Sequence, residues 1–179
     1  MTRRVVLYEL MSLDGFADDP GEGDWFHGSD ARLMDFLAEV IASQDAVLLG
    51  RHTYEKWAPY WPKATMQPFA DFINTTPKLV FSSTPLAEEW ANTTRITDPV
   101  LSFVADLKQL PGGDIGIHGS ITLARALLAA QLVDELRLVL APSLAGHGKR
   151  LFTDEGDLQR FALVDSQRSG DCLLLHYRR

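Results

Sequence analysis

The chain has 179 residues, of which 46% are hydrophobic and 23% charged, a composition that fits one domain burying roughly 70% of its unfolded surface. Its formal charge of -7 excludes a broad basic face, and with it a nucleic-acid partner. The N-terminal apolar run is cut at Glu9, too soon for a signal peptide or a membrane span, so the cytoplasm is the expected location and no membrane partner is expected.

In chain order, residues 5–11 read as a buried strand, and 12–29, rich in Gly, Asp and Pro, as a long loop. Asp30 caps a helix whose apolar residues Leu33, Phe36, Leu37, Val40 and Ile41 keep helical spacing. A strand at 46–49 ends in Gly50, after which Arg51, His52 and Thr53 open a helix that Thr53 is placed to cap. A Trp- and Pro-rich stretch then leads to a short helix over 66–73, strands at 78–81 and 93–96, and a helix over 102–110 that stops at Pro111, Gly112 and Gly113. A strand at 115–117, a helix at 121–130 and a strand at 135–140 make a βαβ unit. Residues 161–166 and 173–177, joined across Ser169, Gly170 and Asp171, read as an antiparallel hairpin. The alternation predicts an α/β fold in one domain.

Three of these strands end in small, polar or glycine residues: at Gly50-Arg51-His52-Thr53, at Ser82-Ser83-Thr84 and at His118-Gly119-Ser120-Ile121. Such ends describe one rim of an α/β sheet, where ligands of these folds collect. Free N–H groups at a helix start, together with Arg51, suit a phosphate, and a phosphate-bearing nucleotide lying across the rim accounts for all three ends. The plainer alternative is a set of ordinary strand–glycine–helix joints with Arg51 as a solvated charge. The run Gly146-His147-Gly148-Lys149-Arg150-Leu151 is neither a dinucleotide fingerprint nor a P-loop. Leu151 takes the third glycine position of the former, and in the latter Ser143 replaces the first glycine and Arg150 the Ser or Thr after the lysine.

Cys172 is the only cysteine, which excludes an internal disulfide, and the five histidines (27, 52, 118, 147 and 176) show no paired ligand spacing, so no metal is expected.

The chain resembles the dihydrofolate reductase-like superfamily, and within it the reductase domain of the riboflavin-pathway bifunctional deaminase-reductase more than dihydrofolate reductase itself. The resemblance rests on Ser12-Leu13-Asp14-Gly15, the run from Leu49 to Glu55, Tyr60-Trp61-Pro62, Val80-Phe81-Ser82-Ser83, His118-Gly119-Ser120, and the run from Leu132 to Leu138 leading to that from Ala141 to Phe152. It implies a three-layer fold with a mostly parallel mixed sheet, a C-terminal antiparallel hairpin, NADPH as cofactor, hydride transfer as the reaction and a homodimer as the assembly. For the homodimer, the apolar residues at 136–140 and 173–175 offer either contacts or burial within one subunit.

Within that reading Arg51 pairs with cofactor phosphate, Ser82 and Ser83 bind the 2′-phosphate, His52 and Thr53 donate to the pyrophosphate or ribose, and Gly50, His118, Gly119, Ser120 and Ile121 let the backbone approach it. Arg125 stands in for a phosphate cation found at this joint in dihydrofolate reductases. Asp14 and Asp30 are the candidate catalytic acids, with Asp35 as a third; Asp14 is also a turn residue and Asp30 also a helix cap. Trp25, Phe26, Trp57, Tyr60 and Trp61 are candidates for the wall of a pocket for a planar heterocycle. The expected function is reduction of a pteridine- or pyrimidine-like heterocycle, including the phosphoribosylamino-uracil of riboflavin synthesis. The alternatives are a nucleotide-binding sensor without catalysis, and dihydrofolate reduction, which requires a tail-binding arginine where this chain offers only Lys78.

Overall fold

The structure, a computed structural model, describes residues 2–21, 23–28, 30–154 and 156–179. Glu22 and Ser29, both within the expected loop, lie outside the described residues. In chain order the elements are β1 (Val5–Ser12), α1 (Ala31–Ile41), β2 (Gln44–Gly50), α2 (Arg51–Trp57), α3 (Phe69–Thr75), β3 (Lys78–Phe81), β4 (Thr93–Ile96), α4 (Val100–Gln109), β5 (Asp114–His118), α5 (Ile121–Ala129), β6 (Glu135–Ala141), β7 (Ala162–Ser169) and β8 (Cys172–Arg178). The elements are those expected, with α3 starting three residues later, because Met66 to Pro68 form the turn before it, and α4 starting two residues earlier, directly after Pro99.

The strands form one sheet in the order β4-β3-β2-β5-β1-β6-β8-β7. The first six run parallel, β8 is antiparallel to β6, and β7 is antiparallel to β8. The central strands read as near-continuous apolar runs because both of their faces are covered. On one face Val6 and Tyr8 of β1 pack with Leu33, Phe36, Leu37 and Val40 of α1 and Phe69 and Ile73 of α3. On the other, Val5 and Leu7 pack with Val104 of α4 and Leu123, Ala124 and Leu127 of α5. The result is three layers, as the resemblance implies. Among the described residues no helix is long and apolar enough to cross a membrane.

Lys78 lies wholly inside this frame. Its Nζ donates to the carbonyls of Ile73 (2.8 Å) and Thr76 (3.1 Å) and sits over the Trp90 ring. Burial lowers its pKa to about 8. It is a structural residue at the sheet's far side, which removes it as a substrate-tail contact. Strand β6 lies between β1 and β8, so the apolar residues at 136–140 are buried within one subunit, whereas the outer strand β7 is exposed over residues 162–168.

Candidate functional site

The sheet opens at one place. Pairing of β1 with β5 ends at Tyr8↔His118, while pairing of β1 with β6 continues to Ser12↔Ala141. On the far side of β5, β2 ends at Gly50, which pairs with Phe81 of β3. Strand β2 passes into α2 without an intervening residue, and neither the N-cap of α2, Gly50, nor that of α5, Ser120, makes a side-chain cap bond. The first-turn N–H groups of α5 thus remain open to a ligand.

The two joints are pinned to each other. The Ser120 amide donates to Thr53 Oγ1 (3.2 Å), and the Gly50 amide donates to Ser120 Oγ (3.0 Å). The expected cap by Thr53 is therefore corrected. Thr53 sits in the first turn of α2, past its N-cap, and its hydroxyl serves the neighbouring joint; Ser120 spends its hydroxyl on Gly50 and not on its own helix. Gly119 and Ser120 are both left-handed, at φ +62 and φ 48. A Cβ on Gly119 would lie 3.3 Å from Trp57 Cζ2 and 3.4 Å from Thr53 Cγ2. Glycine is thus demanded there by backbone angle and by the packing of α2.

Beside the joints is a cleft of about 830 Å³, within the usual range for small-molecule sites. Of the five candidate wall aromatics, Phe26, Trp57 and Trp61 line it; Phe69 joins them, its ring centroid 4.8 Å from that of Trp61. Trp25 is instead buried edge-on against Phe16, 5.2 Å between centroids, and Tyr60 is exposed. Three of the cleft-lining residues hold a buried polar atom with no hydrogen-bond partner: Glu9 Oε2, Trp61 Nε1 and His118 Nδ1. The His118 ring lies among Tyr8, Phe69 and Phe72 with Nε2 2.8 Å from Gln44 Oε1, and burial lowers its pKa to about 3, so it is neutral.

Gly50, Arg51, His52, Thr53, His118, Gly119, Ser120 and Ile121 all line this cleft. Arg51 is half-exposed and bonded to Glu55 across one helical turn at 3.0 Å. Ser82 and Ser83 do not line it. The register of β3 sets them on the same rim, but Ser82 Oγ donates to the Thr84 carbonyl (2.7 Å) and accepts from the Thr84 amide (3.2 Å), closing a turn, while Ser83 is exposed. Arg125 does not line the cleft either; it donates to the Arg150 carbonyl.

Neither candidate acid lines the cleft. Asp14 accepts from the Ser12 hydroxyl (2.6 Å) and from the Ala145 (3.0 Å) and Gly146 (2.9 Å) amides. These bonds, the Ser12 hydroxyl first, hold its carboxyl well below the usual carboxylate range. Asp14 is thus a clasp closing the loop after β1 onto the segment at 143–151, beside the backbone bonds Leu13 N–Ser143 O and Ala17 N–Lys149 O. That clasp brings Lys149 to the cleft. Asp30 is the N-cap of α1, accepting from the Leu33 amide (3.0 Å) and from the Ser169 hydroxyl. Asp35 is exposed on α1. Among the described residues the acids that line the cleft are Glu9, Asp18 and Asp19, of which Glu9 alone is buried; its signal in the sequence is a lone carboxylate inside the apolar run of a central strand.

A family model described as the RibD C-terminal domain matches residues 3–175. The uncharacterized protein YyaP of Bacillus subtilis is 35% identical over 158 residues, spanning 85% of this chain and 81% of that protein. The structure of a putative riboflavin biosynthesis protein from Shewanella sp. PV-4 superimposes with a TM-score of 0.76 at 20% identity, covering 100% of this chain and 99% of that one. That of the Thermotoga maritima diaminohydroxyphosphoribosylaminopyrimidine deaminase/5-amino-6-(5-phosphoribosylamino)uracil reductase gives 0.69 at 19% identity over 99% of this chain and 56% of that one.

Proposed function

The chain belongs to the RibD C-terminal domain family, and from that premise and the cleft we propose that it is a cytoplasmic NADPH-dependent reductase of a pteridine- or pyrimidine-like heterocycle. The observation that carries the reading is the pair of pinned strand–helix joints beside an aromatic-walled opening between β1 and β5. The residues fit the cofactor. The start of α5 has no side-chain cap, Arg51 stands at the next joint, and a Cβ at Gly50 would meet nothing closer than 3.9 Å, so a ligand can approach that backbone. When bound, NADPH supplies the hydride. Arg51 and the α5 amides hold its phosphates, and the exposed Ser83 hydroxyl at the end of β3 serves the 2′-phosphate. Trp57, Trp61 and Phe69 orient a planar ring and exclude water.

For assembly we propose a homodimer, supported by the exposed outer strand β7 with Leu163 and Val164, and tested by sedimentation at assay concentrations. The functional test is NADPH oxidation against a panel of pterins and pyrimidines, phosphoribosylamino-uracil included. Steady oxidation with one of them is expected; NADPH binding without turnover on any would overturn the enzyme reading.

A further inference from the structure

We propose that Glu9 grips the bound heterocycle, its Oε2 donating a hydrogen bond to an oxo oxygen and so selecting oxo-substituted over amino-substituted rings. The inference rests on the reductase reading for the position of the substrate. Glu9 lies one residue past the last β1–β5 pair, where the sheet opens, and it lines the cleft. It alternates with Leu7 and Met11 and so belongs to the strand face covered by α4 and α5. Only 6% of the residue is exposed.

A carboxyl group so placed needs a partner, since a buried unpaired charge is far costlier than a neutral acid. Among the described residues no ion pair reaches Glu9, and the charge that acts on it is Asp18, of like sign. Burial first, with Asp18 adding to it, pushes the acid well above the usual carboxylate range. The proton therefore stays on, and Oε2, buried without a partner, has a hydrogen to give and nothing in the protein to take it. The O–H of a neutral carboxylic acid held in an apolar site donates a hydrogen bond, which an oxo oxygen accepts and an amino group in its place does not.

The test uses the full chain as wild type, Glu9→Gln and Glu9→Leu, with 2,4-dioxopteridine and 2,4-diaminopteridine as probes in calorimetry and NADPH titrated separately. Wild type is expected to bind the dioxo ring about tenfold or more tightly than the diamino ring. Glu9→Gln, which keeps a donor, should retain that preference, and Glu9→Leu should lose it, with NADPH affinity the same in all three. Isotope-edited infrared spectra should show at neutral pH a protonated carboxyl band that Glu9→Gln lacks. Equal dioxopteridine binding by wild type and Glu9→Leu, a wild-type preference for the diamino ring, binding of neither ring, or a carboxylate band at Glu9 would each overturn the inference. Failure of wild type to bind NADPH would instead remove the reductase reading, while the infrared band still reports on Glu9.

Discussion

Replacing Ser120 by Ala tests whether the two strand–helix joints depend on each other. The substitution removes the acceptor of the Gly50 amide, which lies 3.0 Å from Ser120 Oγ, and leaves the Ser120 amide on Thr53. An unsatisfied buried donor costs about 1–3 kcal/mol, and the half-buried position of Gly50 sets the expected loss in the lower part, about 1–2 kcal/mol. For a chain of this size that is a fall in Tm of roughly 2–8 °C. Ser120 is left-handed at φ 48, a strain alanine shares and glycine does not, so Ser120→Gly should lose less than Ser120→Ala. Urea unfolding of Ser120→Ala, Thr53→Val and the double variant then gives the coupling directly, expected at about 0.5 kcal/mol or more. NADPH affinity should fall with stability, because the pin positions both phosphate-side joints. A Ser120→Ala midpoint indistinguishable from wild type, with zero coupling to Thr53, would refute the reasoning.

Arg51→Ala should weaken NADPH by about 10- to 150-fold, the equivalent of one charge-assisted bond of about 1.5–3 kcal/mol. Its melting should shift little, since the exposed pair with Glu55 contributes about 0.3–0.5 kcal/mol; unchanged NADPH affinity by calorimetry would take Arg51 out of the site. Gly119→Val puts a branched side chain at φ +62 against Trp57 and should cost about 2–5 kcal/mol and abolish NADPH binding, as thermal melts and titration of the folded fraction will show. His118 has a folded pKa of about 3, below its ordinary value, so between pH 6.5 and 3 the unfolded chain binds a proton that the folded chain does not. Its effect is to lower stability as pH falls through that window, by about 2 kcal/mol between pH 6.5 and 5. Urea midpoints at both pH values should therefore fall further in wild type than in His118→Gln, and equal slopes would contradict the burial argument.

Most of the fold was legible because its signals are local: apolar strands, helical spacing after Asp30, and glycine or hydroxyl residues at strand ends. The two strand–helix joints that line the cleft were legible for the same reason, since such a joint is written in consecutive residues. What the sequence could not give is where a short polar side chain spends its hydrogen bonds. Thr53, Ser82 and Ser120 all look like caps or phosphate ligands, yet each bonds a neighbouring backbone group that only the tertiary fold or the local turn defines. Asp14 misled in the same way, because a clasp on a loop 131 residues away has no local signature, whereas the cap role of Asp30 was written in the helix that follows it. Glu9 was hidden by the opposite effect: an acid in an apolar run reads as an interruption until the strand is seen to end its pairing there.

The central claim is most directly tested by calorimetric titration of the full chain with NADPH and with NADH. The proposed contacts of the 2′-phosphate with Arg51 and Ser83 predict tighter NADPH binding, by about tenfold or more for each well-made charge-assisted bond. Equal affinities would contradict the phosphate assignment, and no binding of either nucleotide would contradict the reductase reading itself.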